Sequence, residues 1–207
     1  MYIPKEYKTN DLQYAMELIR GYAFGLLISS GDDYPFVTHL PFLSVEENGK
    51  LRLFTHLAKV NPHANVLANN EVLAVFTGPH AYISATWYHN KRNVPTWNYG
   101  AVHVKGKARL IEDDETIASL LQQTVAFFDG GPTDHHKALP AEYKQALAKE
   151  ITFVEIEVQS IEIKAKFNQN KPKEDLLNVI EHLETSGNQV SEKVADMMKR
   201  FNAEKLK

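Results

Sequence analysis

The apolar positions follow a helical period near the N-terminus and an alternating one after it. Leu12, Ala15, Met16 and Ile19 share one face at helical spacing, which predicts a short helix over residues 10–20. Short apolar runs separated by polar turns then predict strands. These runs cover 22–30, 34–43, 51–56, 71–78, 80–84 and 101–111. The last of them alternates most clearly, as expected of a strand with one wet face.

The second half of the chain is mostly helical in period, with one more alternating stretch. The helical periods cover 112–128, 141–151, 172–184 and 189–205. Residues 153–167 alternate on either side of Gln159–Ser160 and predict a last strand pair. Short strands without intervening helices of crossover length indicate an antiparallel barrel. The predicted class is therefore mainly β with appended helices (α+β). Residues 1–170 would form the barrel, and 171–207 a helical hairpin packing on it or on a dimer partner.

Sequence composition indicates the cellular compartment in which the protein is expected. No apolar run approaches the roughly 20 residues that a membrane span needs, so no membrane partner is expected. The first residues lack the layout of a secretory signal. The chain contains no cysteine, which excludes disulfides, thiolate metal sites and a cysteine nucleophile. A cytoplasmic protein is expected.

Charge gives no support to nucleic-acid binding. The net charge is −3, and residues 171–207 carry seven basic and seven acidic side chains. A nucleic-acid binder usually has a basic surplus that neutralises phosphates. The two C-terminal helices have the outline of a helix–turn–helix, but the second mixes basic with acidic residues. We therefore expect it to pack rather than to read DNA.

Familiar catalytic signatures are absent: the chain has no GxSxG, Walker loop, GxGxxG or HExxH. No catalytic residue is assigned on this basis. The one adjacent histidine pair, His135–His136, falls in a predicted loop. Neighbouring side chains on a strand or helix point apart, so such a pair is a poor chelate. A solvated loop and no metal site are predicted.

A strand-to-helix segment within 54–76 offers hydrogen-bond donors. Asn61 precedes Pro62, as expected for an N-cap followed by proline at the first helical position. A helix N-terminus suits a phosphate, because its backbone N–H groups are unpaired. The donors just ahead of it are Thr55, His56 and Lys59. A plain connection in which Asn61 only caps the helix is an equally good interpretation.

Aromatic residues concentrate in 85–100, which contains both tryptophans, Trp87 and Trp97, each followed closely by a tyrosine. Exposed rings are costly, so this segment predicts a flat ligand or a dimer seam. Residues 164–171 end a predicted strand with Gln169 and Asn170 between two lysines. Amides there can recognise a heterocyclic edge or simply form a turn, and the turn is the preferred interpretation of this stretch alone.

Six segments together resemble one family in order and over nearly the whole chain. They are MYIP (1–4), THLPFL (38–43), HLAKVNPH (56–63), GPHAYISATWY (78–88), VPTWNYGAVHVKG (94–106) and KAKFNQNK (164–171). On these motifs the chain resembles the PaiB family, described as FMN-binding negative transcriptional regulators. It departs from the family pattern at Ala85, where proline is usual, and at Phe167–Asn168, where the family has a KLSQN-like run.

This resemblance implies a split β-barrel of the pyridoxamine-phosphate-oxidase type, and a homodimer with FMN at the subunit interface. By analogy, Thr55, His56, Lys59 and Asn61 would bind the phosphate. Thr38 and His39 would line the flavin. Trp97, Asn98 and Tyr99 would lie near its ring, contributed by the same or the other subunit. Lys166, Gln169 and Asn170 would belong to the same cleft.

The resemblance also implies a repressor of sporulation and extracellular protease genes, with DNA binding inferred from the family alone. Two alternatives within the superfamily stay open. One is an FMN-dependent oxidoreductase of the flavin-reductase kind. The other is haem binding or degradation, with His39, His56, His80 and His103 available as ligands. A dimeric interaction module without cofactor is a third possibility.

Overall fold

The computed structural model describes residues 1–47, 49–131 and 138–207. These ranges contain eight strands: β1 Lys8–Thr9, β2 Phe24–Ser29, β3 Phe36–Pro41, β4 Leu43–Glu47, β5 Lys50–Ala58, β6 Glu71–Ile83, β7 Thr96–Ile111 and β8 Ile151–Lys166. They also contain six α-helices: α1 Leu12–Gly21, α2 Asp114–Phe128, α3 Ala141–Ala148, α4 Lys173–Glu184, α5 Gln189–Phe201 and α6 Ala203–Leu206. The same ranges contain three 3₁₀ turns, at Lys5–Tyr7, Pro62–Val66 and Ala85–Trp87. The predicted histidine-pair loop, His135–His136, lies outside the described residues.

The strands form one sheet in the order β3-β2-β6-β7-β8-β5-β4, with β1 paired to β8. The registered pairs are antiparallel; Leu27 of β2, for example, lies opposite Thr38 of β3. Within the described ranges the path ends at β3 and β4, so the hydrogen-bonded sheet is not closed. The mainly β class with appended helices is confirmed.

Two predicted strand breaks are wrong. The two runs predicted at 71–78 and 80–84 belong to the single strand β6, which ends at Ile83, and the pair predicted over 153–167 is the single strand β8, which ends at Lys166. Gly78 is not a turn residue: a Cβ there would lie 3.0 Å from Leu18 Cδ1, so glycine serves close packing. Gln159 and Ser160 are polar because this part of β8 is exposed.

The described residues form two compact units. The first comprises Met1–Leu18, Thr77–Val102 and Glu162–Lys207, and the second comprises Ile19–Phe76 and His103–Ile161. Strands β6, β7 and β8 each contribute one end to each unit. The three C-terminal helices belong to the first unit. The proposed boundary at residue 171 stays a prediction.

The first unit is built around α4 and α5. Leu176, Val179, Ile180 and Leu183 of α4 are buried at helical spacing, as an amphipathic helix requires. Asn188 caps α5 by accepting hydrogen bonds from two backbone N–H groups. Phe201 at the end of α5 packs edge-on against Tyr14 of α1, with ring centroids 4.9 Å apart, and stacks on Phe167. Helices and strand ends thus share one apolar core.

The second unit has an apolar cluster between β4, β5, β8 and α2. Its buried members are Leu43, Phe54, Leu120 and Phe153. β7 and β8 approach closely at Gly106, where a Cβ would lie 2.3 Å from the carbonyl oxygen of Glu157. This core supports strand β5, which carries two of the predicted binding residues, Thr55 and His56.

Candidate functional site

His63 is a buried polar residue of the second unit with a partner at each ring nitrogen. It is 1% exposed, and its Nδ1 lies 2.8 Å from Thr38 Oγ1 while its Nε2 lies 2.9 Å from Ser29 Oγ. The ring of Phe36 stacks on it at 5.3 Å with an interplanar angle of 17°. The backbone N–H of His63 donates to Asn61 Oδ1 at 3.0 Å. The imidazole is therefore fixed at both ring nitrogens and on one face.

Burial lowers the pKa of His63, so the neutral imidazole is favoured. Sequence reasoning missed this residue. The available signals were its place directly after Asn61 and Pro62 and at the end of the family motif HLAKVNPH (56–63), and neither tells where the ring points. The partners, Ser29 and Thr38, come from two strands distant in sequence.

The predicted helix after Asn61 is a single 3₁₀ turn, Pro62–Val66. Asn61 caps it as expected, and Asn69, with φ +60°, follows in the left-handed region. Five residues are too few to present the N-terminal anion site of a longer helix. Any phosphate bound near this segment must therefore rely on side chains and individual N–H groups.

The three donors predicted on and after β5 differ in availability. Thr55 is buried, and its Oγ1 donates to the carbonyl oxygen of Pro41 at 2.7 Å. His56 is half-buried against Phe153, with ring centroids 5.1 Å apart, and burial lowers its pKa. Lys59 is exposed, and its Nζ donates to the carbonyl oxygen of Lys149 at 3.2 Å. Lys59 is thus the most accessible cation of this group.

Thr38 and His39 are neighbours on β3, and successive side chains of a strand leave opposite faces. Thr38 is half-buried on the side of His63, whereas His39 is exposed and stacks on Phe24 at 6.0 Å. The structure therefore does not bring the two predicted flavin-lining side chains together.

In the first unit, β6 and β7 present an aromatic face, defined here as His80, Tyr82, Trp97 and Tyr99. Trp97 is 51% exposed and Tyr82 is 50% exposed. The Trp97 ring lies 5.9 Å from that of His80 and 6.1 Å from that of Tyr82. Two large exposed rings in contact are unusual on a protein surface and are typical of a binding face.

Beside the aromatic face lies a lysine pair, Lys164 and Lys166, two residues apart on β8. Lys164 is only 8% exposed; its Nζ lies 5.1 Å from the centroid of the Tyr99 ring and donates to the carbonyl oxygen of Tyr2. Lys166 Nζ donates to Thr96 Oγ1 at 2.5 Å.

Neither lysine forms an ion pair with a carboxylate in the part of the chain that the structure describes. Burial, and to a lesser extent the charge of Lys164, lowers the pKa of Lys166. Positive charge that is shielded from water and lacks a counter-charge attracts anions. The aromatic face and the lysine pair together suit a flat, negatively charged ligand.

Asn98 has no exposed surface, and neither its Nδ2 nor its Oδ1 has a hydrogen-bond partner within the described ranges. It lies between Trp97 and Tyr99 on β7, so its side chain leaves the face opposite theirs. A buried amide without partners is costly and rare. Of the three residues predicted near the ring, two share the aromatic face and Asn98 does not.

The predicted amides after β8 have local roles. Gln169 Oε1 accepts from the backbone N–H of Phe167 at 2.8 Å, and its Nε2 donates to the carbonyl oxygen of Ala165 at 2.6 Å. Asn170 is exposed. These contacts favour the turn interpretation of Gln169. Asn168, with φ +62°, is buried, and its Nδ2 donates to Tyr88 Oη.

The loop after β6 is attached to α4. Trp87 stacks on His182 with centroids 5.1 Å apart, and the carboxylate of Asp175 accepts from the backbone N–H groups of His89 and Asn90. Tyr88 is buried. Of the two tryptophans in the aromatic segment, only Trp97 is exposed enough to offer a face to a ligand.

The geometry gives little support to a metal site, a membrane span or a haem site. The described ranges hold no group of three or more His, Asp and Glu side chains that could bind a metal ion. Nor do they hold a helix that is long and apolar enough to cross a membrane. Three of the four histidines considered for haem contact an aromatic ring of the protein itself: His39, His56 and His80.

Sequence comparison finds a family and a relative that cover most of the chain. Residues 1–160 match the family described as "Putative FMN-binding domain". The chain is 34% identical over 201 residues to "Protease synthase and sporulation protein PAI 2" of Bacillus subtilis, which covers 96% of each chain.

Structural comparison finds similar folds at low sequence identity. The flavocytochrome Anf3 from Azotobacter vinelandii superposes with a TM-score of 0.64 and 14% identity, over 80% of this chain and 72% of that one. The FAD and haem binding protein from Mycobacterium smegmatis gives a TM-score of 0.61 and 13% identity, over 77% and 73%. These likenesses confirm the split-barrel fold expected from the resemblance.

Proposed function

The chain belongs to the FMN-binding domain family, and from that premise we propose that it is an FMN-binding regulator of the PAI 2 type that acts as a homodimer. The regulatory part rests on the Bacillus subtilis relative, whose similarity extends over 96% of both chains. FMN is the cofactor that the family indicates, and residues in each unit suit it.

The observation that carries the proposal is the aromatic face beside the lysine pair. FMN combines a flat ring system with a phosphate, and the first unit offers exposed rings at Trp97 and Tyr82 next to two ammonium groups that have no carboxylate partner among the described residues. Stacking and cation attraction both favour such a ligand. These residues therefore fit the cofactor.

The second unit, taken by itself, offers a separate candidate set of FMN contacts: Lys59 is an exposed and His56 a half-buried donor to a phosphate, and Thr38 offers a half-buried hydroxyl to the flavin. The hydroxyl of Thr55 donates its proton to the carbonyl oxygen of Pro41, so we assign Thr55 a structural role rather than contact with the cofactor. When bound, FMN supplies hydride and electron transfer. The residues of this chain would bind and orient it and exclude water from its ring.

A second candidate is an FMN-dependent oxidoreductase, and the pairing of charges on α5 counts against the competing DNA-binding role. Lys199 pairs with Glu184, and Arg200 pairs with Glu17 and Asp11. A helix whose cations are neutralised in this way is poorly suited to DNA phosphates. Regulation through DNA would then need another surface or a protein partner.

Binding of FMN to the purified protein tests the cofactor site directly. We expect the double variant Lys164→Met/Lys166→Met to weaken FMN binding at least tenfold and to reduce its dependence on salt, because two cations are lost. Lys199→Met, which removes an exposed, paired lysine in the same unit, is the matched control and should leave binding unchanged. Wild-type affinity in the double variant would contradict the assignment of the lysine pair.

Two further assays separate regulator from enzyme. A gel shift with promoter DNA, run over a range of salt with flavin-loaded and flavin-free protein, should show specific binding if the chain is a DNA-binding regulator. Binding no stronger than to random DNA argues against that role. Anaerobic reduction of the bound flavin by NADH or NADPH would support the oxidoreductase.

A further inference from the structure

The imidazole of His63 lies between two hydroxyl groups. Nε2 is 2.9 Å from Ser29 Oγ, and Nδ1 is 2.8 Å from Thr38 Oγ1. A neutral imidazole has one N–H donor and one acceptor nitrogen. One hydroxyl must therefore donate to the ring, and the other must accept from it.

Burial decides which hydroxyl donates. Ser29 is 5% exposed, and the ring nitrogen is the one hydrogen-bond partner that its hydroxyl has in the described chain. If Nε2 carried the proton, the Ser29 hydroxyl would accept and its own proton would be buried without an acceptor. Such an unsatisfied donor costs free energy, whereas donation to Nε2 satisfies it. The favoured tautomer thus has its proton on Nδ1.

With the proton on Nδ1, the ring donates to Thr38 Oγ1. The proton of the Thr38 hydroxyl is then not used by the histidine. Thr38 is half-buried rather than enclosed, so this proton is available to an acceptor outside the protein. In the opposite tautomer Thr38 would donate to the ring and could offer only lone pairs, which repel anionic oxygens.

The surroundings hold the ring in this position. Phe36 stacks on one face, and the backbone of His63 is tied to the Asn61 side chain that caps the turn. Strand pairing fixes the two partners relative to each other, since Ser29 and Thr38 lie on the paired strands β2 and β3. Rotation of the imidazole would break both hydroxyl contacts.

We propose that His63 is a positioning residue for the cofactor: its Nδ1–H holds Thr38 Oγ1, so that Thr38 presents its hydroxyl proton to an acceptor atom of FMN. This inference rests on the proposed FMN binding and deepens it, because it assigns one donor and the residue that orients it. Ser29 selects the tautomer, and Thr38 is the residue that touches the ligand.

The tautomer can be measured without cofactor. Nitrogen-15 NMR of the ring in flavin-free protein distinguishes the protonated from the unprotonated nitrogen. We expect the proton on Nδ1 in the wild type, and a mixture of tautomers in Ser29→Ala, since the donor to Nε2 is gone. A wild-type ring protonated at Nε2 would overturn the assignment.

Variants then test the consequence for binding. Titration of FMN, followed by its fluorescence, should show about five- to tenfold weaker binding for Thr38→Val and for His63→Gln, whose amide reaches the Nε2 position only. Thr38→Ser keeps the hydroxyl that Thr38→Val removes, and His63→Asn places an amide N–H near the Nδ1 position. These two should recover most of the affinity, which a merely structural role for His63 does not predict.

The double variant Thr38→Val/His63→Gln should bind FMN no more weakly than either single variant, because both remove the same contact. Additive losses would overturn the coupling between the two residues. Circular dichroism and urea unfolding confirm that each variant is folded. A folded wild type that takes up no FMN would overturn the proposed function and the role of Thr38, while the NMR result would still report separately on the tautomer.

Discussion

Burial controls the protonation of two histidines, His56 and His63, in the second unit. Burial lowers the pKa of both side chains. Burial penalises the charged imidazolium because it removes water from around the charge, so the neutral ring is favoured at both positions. The stability of the folded protein is therefore expected to depend on pH in the mildly acidic range.

We predict that the free energy of unfolding falls as the pH drops below about 6.5, the pKa of histidine in an unfolded chain. The unfolded chain binds protons at these two positions over a range in which the folded protein does not, so acid favours unfolding. Above about 6.5 this contribution is fully present, and it is lost as pH decreases towards the lowered folded values. Urea unfolding at several pH values measures it.

His63→Asn serves as the control for that experiment, because it removes one of the two titrating groups. The loss of stability between neutral and mildly acidic pH should be smaller in this variant than in the wild type. An identical loss would mean that other groups dominate the acid response.

Asn98 is a buried amide that the described residues leave without partners, and it was predicted to bind flavin. We expect Asn98→Leu to raise the free energy of unfolding by about 1 kcal/mol, because it removes two unpaired polar atoms at similar volume. Chemical denaturation measures the change, and an FMN titration on the same variant tests the predicted binding role.

Asn202→Leu is the matched control for Asn98. The amide nitrogen of Asn202 is also buried but donates to the carbonyl oxygens of Phe167 and Met198 at 2.9 and 2.8 Å. Its loss should destabilise the protein by about 1–3 kcal/mol, since the Phe167 carbonyl oxygen loses this donor, while that of Met198 keeps the backbone N–H of residue 202. If Asn98→Leu also destabilises, its amide has a partner such as a bound water or a ligand.

Between elements, close approach of backbones determines where glycine is required. Gly106 on β7 has no room for a side chain, since a Cβ would lie 2.3 Å from the Glu157 carbonyl oxygen on β8. Gly100 on the same strand would place a Cβ 2.0 Å from Tyr14 Oη. Both positions mark contacts between elements rather than turns.

We predict that Gly106→Ala destabilises the protein by about 2 kcal/mol or more, because the strands must move apart to accept a methyl group. Gly21→Ala at the end of α1 is the control: its Cβ would meet no described atom within 4 Å, and alanine favours a helix. Thermal unfolding of both variants tests this, and equal stability would show that β7 and β8 can separate at little cost.

For the molecule as a whole, the predicted binding residues fall in both compact units. Thr38, His39, Thr55, His56, Lys59 and Asn61 belong to the second unit, and Trp97, Asn98, Tyr99, Lys166, Gln169 and Asn170 to the first. Each set therefore needs its own test. The aromatic face raises the larger question, since exposed rings suit either a ligand or a second copy of the chain.

We predict that Trp97→Ala loses FMN while the proposed homodimer stays intact, because the ring offers a stacking surface to the flavin. Flavin absorbance and size-exclusion chromatography on the same sample separate the two effects. Leu177→Ala, an exposed apolar residue on α4 of the same unit, should change neither. Loss of the dimer with flavin retained would identify the aromatic face as a dimer seam.

The sequence by itself determined the mainly β class, most helices and strands, the Asn61 cap and the family. These follow from local periodicity, from capping chemistry and from motifs that need no long-range contact. It misplaced strand breaks at Gly78 and Gln159, since a glycine or an exposed polar run looks the same in a turn as in a strand.

Only the tertiary structure decided which candidates are available to a ligand. It buried Thr55 and Asn98, attached Trp87 to His182, and left Trp97 exposed. It also brought His63 between Ser29 and Thr38, 34 and 25 residues away along the chain. Burial and hydrogen-bond partners arise from contacts between distant segments, and local sequence patterns do not contain them.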